Sequence, residues 1–213
     1  MIISDKFKII FLRNPKCASS SIRDVLFKFD DSFWRDSYNY YEKISKFIEI
    51  DKSLQTSAQW LCDGMNYIGK NISNYFIFGT IRNPWDKIVS QFTYGQIDKN
   101  FKCFYDKDYC IKNGFCSFED YIKSDNFLKV NINNWFYFNE KIITNEIYKI
   151  ENFKIKIVEK NYKKFSGKKI KLPPMIHINQ TKHKNYKEYY NEETKKIIEL
   201  YYQEDINYGN YKF

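Results

Sequence analysis

Hydrophobic positions along the chain follow two patterns. Residues 7–12, FKIIFL, and 75–81, YFIFGTI, are apolar almost throughout, as strands buried on both faces are. Each run is followed by a polar turn and then by apolar residues at helical spacing. After the first run these are Ile22, Val25, Leu26 and Phe29, which predict a helix over Ser19–Phe29. After the second they are Ile88, Val89 and Phe92, which predict a helix from about Trp85. Pro84 sits in that helix's first turn, where its missing N–H does no harm.

A third strand is expected in IITNEIYKI, ending at Ile150, with residues 151–165 helical after it. SFED at 117–120 has the form of a capping box opening a helix. A closing helix is expected from about Glu192 to Glu204, with Ile197, Ile198, Tyr201 and Tyr202 on one side. Residues 30–60 are mixed and aromatic and predict irregular structure with short helices, SAQWLCDGM among them. Residues 98–116 form a polar insertion, and GKKIKLPPMIHINQTKH (167–183) is a loop. Strands separated by helices imply a parallel sheet, with ligands at the carboxyl ends of its strands. The expected class is therefore α/β: a P-loop-like three-layer fold with a central parallel sheet flanked by helices. A chain of 213 residues fits one domain, 1–213, large enough to bury a core.

Composition adds a few constraints. Only 7 Gly and 4 Pro occur, so loops should be short and elements numerous. The net charge of +9 attracts polyanions, although most of the lysines read as a solvated surface. Zinc-ligand spacing, an RNA-binding aromatic signature and a long basic block are all missing, so no nucleic-acid partner is expected. The cysteines Cys17, Cys62, Cys103, Cys110 and Cys116 match no metal motif. Cys110 and Cys116 could pair, but reduced thiols are the expectation. The first apolar run is too short for a secretory leader and belongs to a strand, and no stretch approaches ~18 apolar residues. A soluble cytoplasmic protein with no membrane span is expected.

The chemistry concentrates in two stretches. RNPKCASSSI, Arg13 to Ile22, lies between the first strand and its helix. Free N–H groups and the helix dipole favour an anion there. Lys16 adds a full charge, Ser19, Ser20 and Ser21 add hydroxyl donors, and Cys17 and Ala18 are small enough for close backbone approach. The loop has neither glycine of GxxxxGK[ST], and its lysine comes too early, which argues against a Mg-bound triphosphate. By itself the stretch also reads as an ordinary serine N-cap after a turn.

TIRNPWDKIVSQF, Thr80 to Phe92, repeats the order of strand, basic residue and helix. Arg82 stands at the strand end, and Ser90 lies eight residues on, about two helical turns into the helix. A guanidinium fork and a hydroxyl converging there would hold a second phosphate. The simpler alternatives are a salt bridge from Arg82 to Asp86 and a small surface residue at 90.

In these two stretches the sequence resembles the PAPS-dependent sulfotransferases, carbohydrate-type (sulfotransferase family 2-like) branch. PKCASSSI is similar to their 5′-phosphosulfate loop, PKTxSTS, and RNPWDKIVSQF is similar to their 3′-phosphate motif. YKIENF at 148–153 and the stretch from LPPMIHINQTKH to the chain's end extend the resemblance over most of the sequence. The resemblance implies transfer of a sulfuryl group from PAPS (3′-phosphoadenosine-5′-phosphosulfate) to a hydroxyl of a glycan or other acceptor, releasing 3′,5′-ADP without a metal. It implies cofactor-binding roles for Arg13, Lys16, Cys17, Ala18, Ser19, Ser20, Ser21, Arg82, Ser90, Thr181 and Lys182. Lys16 would stabilise the leaving nucleotide.

A general base is also needed. Gln55 stands where many bacterial relatives have His, which leaves His177 as the catalytic candidate. A structural loop histidine is an equal reading of His177, and Asp51 or Glu49 could serve instead. The aromatic stretch 33–48 and the insertion 98–116 would shape the acceptor cleft. Two other readings remain open: a nucleotide-binding protein of the same fold that has lost catalysis, and an ATP-using P-loop kinase-like enzyme.

Overall fold

A computed structural model describes residues 1–50, 57–97, 117–124, 127, 129–176 and 183–213. The strands are β1 (Ile2–Ser4), β2 (Ile9–Leu12), β3 (Phe76–Ile81), β4 (Tyr137–Phe138), β5 (Lys141–Ile142) and β6 (Glu146–Lys149). The helices are α1 (Ser19–Phe29), α2 (Ser32–Ile50), α3 (Ser57–Tyr67), α4 (Pro84–Ile97), α5 (Phe118–Lys123), α6 (Ile132–Phe136), α7 (Ile155–Ser166), α8 (Glu192–Tyr201) and α9 (Gln203–Gly209). The described chain falls into two compact units. One comprises Met1–Ile81 with Ile132–Ile178, the other Arg82–Asn131 with Asn179–Phe213.

The first unit is α/β. Its sheet has the order β1-β2-β3-β6. β2 pairs with β3 and β3 with β6 in parallel, while β1 pairs with β2 antiparallel. The sheet is therefore mixed and mostly parallel, not wholly parallel as expected. The reason lies in the short turn between β1 and β2, which can return the chain only as a hairpin neighbour. All residues of β2 and β3 are buried, which explains their continuous apolar runs. On one face Ile9, Phe11, Phe76 and Phe78 join Ile22, Val25 and Leu26 of α1 and Val158 and Tyr162 of α7 in one core. The rings of Phe11 and Phe78 stack at 5.0 Å between centroids. On the other face Phe136 of α6 lies so close to Gly79 that a Cβ there would stand 2.1 Å from its ring.

Two expectations change, and one element is new. Residues 32–50 form one continuous helix, α2, instead of irregular structure. Its buried residues Phe33, Tyr40 and Ile44 recur at near-helical spacing, and packing outweighs the modest helix propensity of its aromatics. The closing helix is broken in two at Tyr202 (φ −113°, ψ 21°), whose side chain is fully buried. A two-residue hairpin, β4–β5, precedes β6, turning through Asn139 and Glu140 with φ of 47° and 62°.

In the second unit α4, α5, α8 and α9 enclose aromatic clusters. Phe92 packs edge-on to Phe118, and Phe118 edge-on to Tyr190. Lys87 is fully buried; its ammonium donates to the Val130 carbonyl at 3.3 Å and lies 4.8 Å from the Tyr202 ring centre. Among the described residues no helix is long and apolar enough to cross a membrane.

Candidate anion-binding site

β2 ends at Leu12 and α1 begins at Ser19, so residues 13–18 connect a buried strand to a helix N-terminus at the carboxyl edge of the sheet. The loop has no glycine, yet it takes the backbone shape glycine usually supplies. Lys16 (φ 62°) and Ala18 (φ 57°, ψ 19°) are left-handed, while Cys17 between them is not. Each such residue costs about 1–2 kcal/mol, which the surrounding structure must offset. Backbone of alternating hand turns successive N–H groups to one side, a shape that receives anions. Ala18 is also the N-cap of α1, and no side chain caps the helix there. The alternative of an ordinary serine N-cap is thus set aside.

Two buried polar side chains brace the loop. Thr80, the penultimate residue of β3, donates its hydroxyl to the Cys17 carbonyl at 2.6 Å. Asn14 donates its amide to the Thr80 carbonyl at 3.1 Å. Both residues have no exposed surface. The sequence reading passed over both. The available signal was a threonine inside an otherwise apolar strand, since a buried hydroxyl requires a partner.

The remaining loop residues divide by accessibility. Cys17 is a fully buried free thiol, Ser19 and Ser21 are buried, and Ser20 is half-buried. Arg13 is half-buried, and its Nε has no acceptor among the described residues. Burial, and then the charge of Arg23 on α1, loosen Arg13's hold on its proton. Arg13, Lys16 and Arg23 thus bring three cations to the loop and the first helix of this unit.

The second constellation lies in the other unit. Asn83 caps α4, accepting from the Asp86 N–H at 3.2 Å. Arg82 donates from both Nε and Nη2 to Asp86 Oδ2 at 2.7 Å, so the expected alternative of a salt bridge is realised. Ser90 is almost fully buried on α4. His183 is held in the same unit, with Nδ1 at 2.7 Å from the Lys184 carbonyl and Nε2 at 3.7 Å from Asp86 Oδ1. His177, Thr181 and Lys182 lie outside the described residues, as do Asp51, Gln55, the 98–116 insertion and the Cys110–Cys116 pair. The helix through position 49 is described, but the Glu49 side chain is not.

The aromatic stretch 33–48 divides by face. Phe33 and Tyr40 enter the core, whereas Trp34, Tyr38 and Tyr41 are 60–62% exposed at i, i+4 and i+7 on α2. No group of acidic, histidine or cysteine side chains able to hold a metal occurs among the described residues. The chain matches no family model, no curated protein and no solved structure.

Proposed function

We propose that this protein is a sulfotransferase of P-loop-like architecture that uses PAPS and acts on a hydroxyl-bearing acceptor such as a carbohydrate. The observation that carries the reading is the 13–18 loop. It is a strand-to-helix turn with left-handed Lys16 and Ala18, no side-chain cap at the helix N-terminus, and Arg13 and Lys16 in its sequence. Its donors fit an oxyanion group, and its lack of the triphosphate-loop lysine position disfavours a Mg-bound nucleotide.

In this reading Lys16 and the N–H groups of the loop and the first turn of α1 hold the 5′-phosphosulfate, with Ser20 the most accessible of the three hydroxyls. PAPS supplies a sulfuryl group on a nucleotide that departs as its charge grows. Lys16 places a fixed positive charge for that leaving group, so no reorganisation is needed as the bond breaks. Arg82 and Ser90 are assigned the 3′-phosphate by resemblance alone; Asp86 orients the Arg82 guanidinium. Thr181 and Lys182 are assigned cofactor contacts and His177 the base by resemblance alone. The exposed Trp34, Tyr38 and Tyr41 offer faces on which sugar rings stack.

Thermal stabilisation by 3′,5′-ADP, compared with 5′-AMP and with ATP plus Mg²⁺, tests the reading, because a ligand that binds the native state raises apparent stability. Selective stabilisation by 3′,5′-ADP that is lost in Lys16→Ala and Arg82→Ala supports it. No response to 3′,5′-ADP, or a response that both variants keep, overturns it.

A further inference from the structure

The outer face of α7 and the residues flanking it carry eight lysines between positions 154 and 171, all exposed. The only acid in that span is Glu159, whose Oε1 accepts the Leu172 N–H at 2.7 Å. None of the eight forms an ion pair among the described residues. The face is also fixed in orientation. Ile155, Val158 and Tyr162 are buried on the opposite side of α7, and the Tyr162 hydroxyl donates to the Phe7 carbonyl at 2.8 Å. Lys156, Lys160 and Lys163 follow one another at i, i+4 and i+7, so their charges lie in a row along the helix. Ile157 shares this outward side with Lys160 and Lys164 and is 41% exposed.

We propose that this face docks on an anionic lipid bilayer. Like charges crowded on a rigid helix without counter-charges call for a polyanionic surface, and the form of the face selects among such surfaces. Its cations are all lysine, which are point charges, without the planar guanidinium forks that read individual oxyanions. Clustered lysines beside an exposed aliphatic side chain suit a charged membrane surface, where the cations meet headgroups and the apolar group can enter between them. The buried side of α7 is committed to the core, so the helix attaches the folded protein without inserting.

Cosedimentation of the full chain with vesicles tests this. The probes are pure phosphatidylcholine and phosphatidylcholine carrying about one-third phosphatidylserine, at low and high salt, with heparin and single-stranded RNA as soluble polyanion controls. The expected result is binding to the anionic vesicles alone, weakened by salt. Binding should fall at least roughly tenfold in the quadruple variant K156E/K160E/K163E/K164E. Ile157→Ser, which changes no charge, should weaken vesicle binding a few-fold, roughly the effect of losing one small apolar contact. Unchanged melting temperatures would show that both variants remain folded. No vesicle binding, quadruple-variant or Ile157→Ser binding equal to wild type, or binding to heparin or RNA without binding to vesicles would each overturn the proposal.

Discussion

The hydroxyl of Thr80 donates to the carbonyl of Cys17 at 2.6 Å, tying the end of the central strand to a loop 63 positions earlier in the chain. Together with the bond from Asn14 back to Thr80, it secures a loop whose left-handed residues are unfavourable in isolation. Thr80→Val keeps the shape and removes the hydroxyl that donates to the buried Cys17 carbonyl. Denaturant unfolding should show a loss of about 1–3 kcal/mol, and any 3′,5′-ADP stabilisation should weaken, while Thr80→Ser should stay close to wild type.

The left-handed N-cap at Ala18 makes a prediction of opposite sign. Ala18→Gly removes the Cβ strain of a φ of 57°, at some cost in unfolded-chain entropy. The variant should be neutral or more stable by up to about 1 kcal/mol. Ala18→Val places a β-branched side chain in the same conformation and should lose about 2 kcal/mol or more. Thermal melts of the two variants should therefore move apart, and a stable Ala18→Val would refute the strain argument.

At the opposite edge of the sheet, the turn between β1 and β2 presents Asp5 to Tyr40, Tyr75 and Lys8. The Tyr40 hydroxyl donates to it at 2.6 Å, Lys8 approaches at 2.8 Å, and the Tyr75 hydroxyl donates as well. Burial alone would raise the carboxyl's pKa, but these donors and the Lys8 charge together hold it well below the usual range. A depressed carboxyl binds its proton more weakly when folded than when unfolded. Its contribution is therefore complete above the unfolded value, near ~4, and is lost as pH falls from there toward the folded value. Asp5→Asn should be less stable than wild type at neutral pH. Its stability should also change less between about pH 5 and 2, which acid titration of the unfolding midpoint would reveal.

Gly79 occupies the middle of the sheet because Phe136 leaves no room for a side chain. Gly79→Ala should cost roughly 1–3 kcal/mol through overpacking. Combining it with Phe136→Leu should recover part of that loss, a non-additivity that a double-mutant cycle of melting free energies would measure.

Much of the first unit is legible in residue order. The apolar runs at 9–12 and 76–81 announce buried strands, and the spacing of Ile22, Val25 and Leu26 announces α1, because both patterns express a local periodicity. α2 was not legible. Its aromatic residues suit strand and helix alike, and only the neighbours of Phe33, Tyr40 and Ile44 decide between them. The turn at Tyr202 was hidden because apolar spacing continues across it.

The sequence by itself determined where the cationic loop falls, which residues line it and that a helix begins immediately after it. Only the tertiary structure decided the rest: that Lys16 and Ala18 turn left-handed without glycine, that Thr80 and Asn14 hold them there, and that Arg82 leans on Asp86. Periodicity is a property of neighbouring residues and survives in one dimension. A hydrogen bond between positions 17 and 80 exists only once the parallel pairing of β2 with β3 has brought them together.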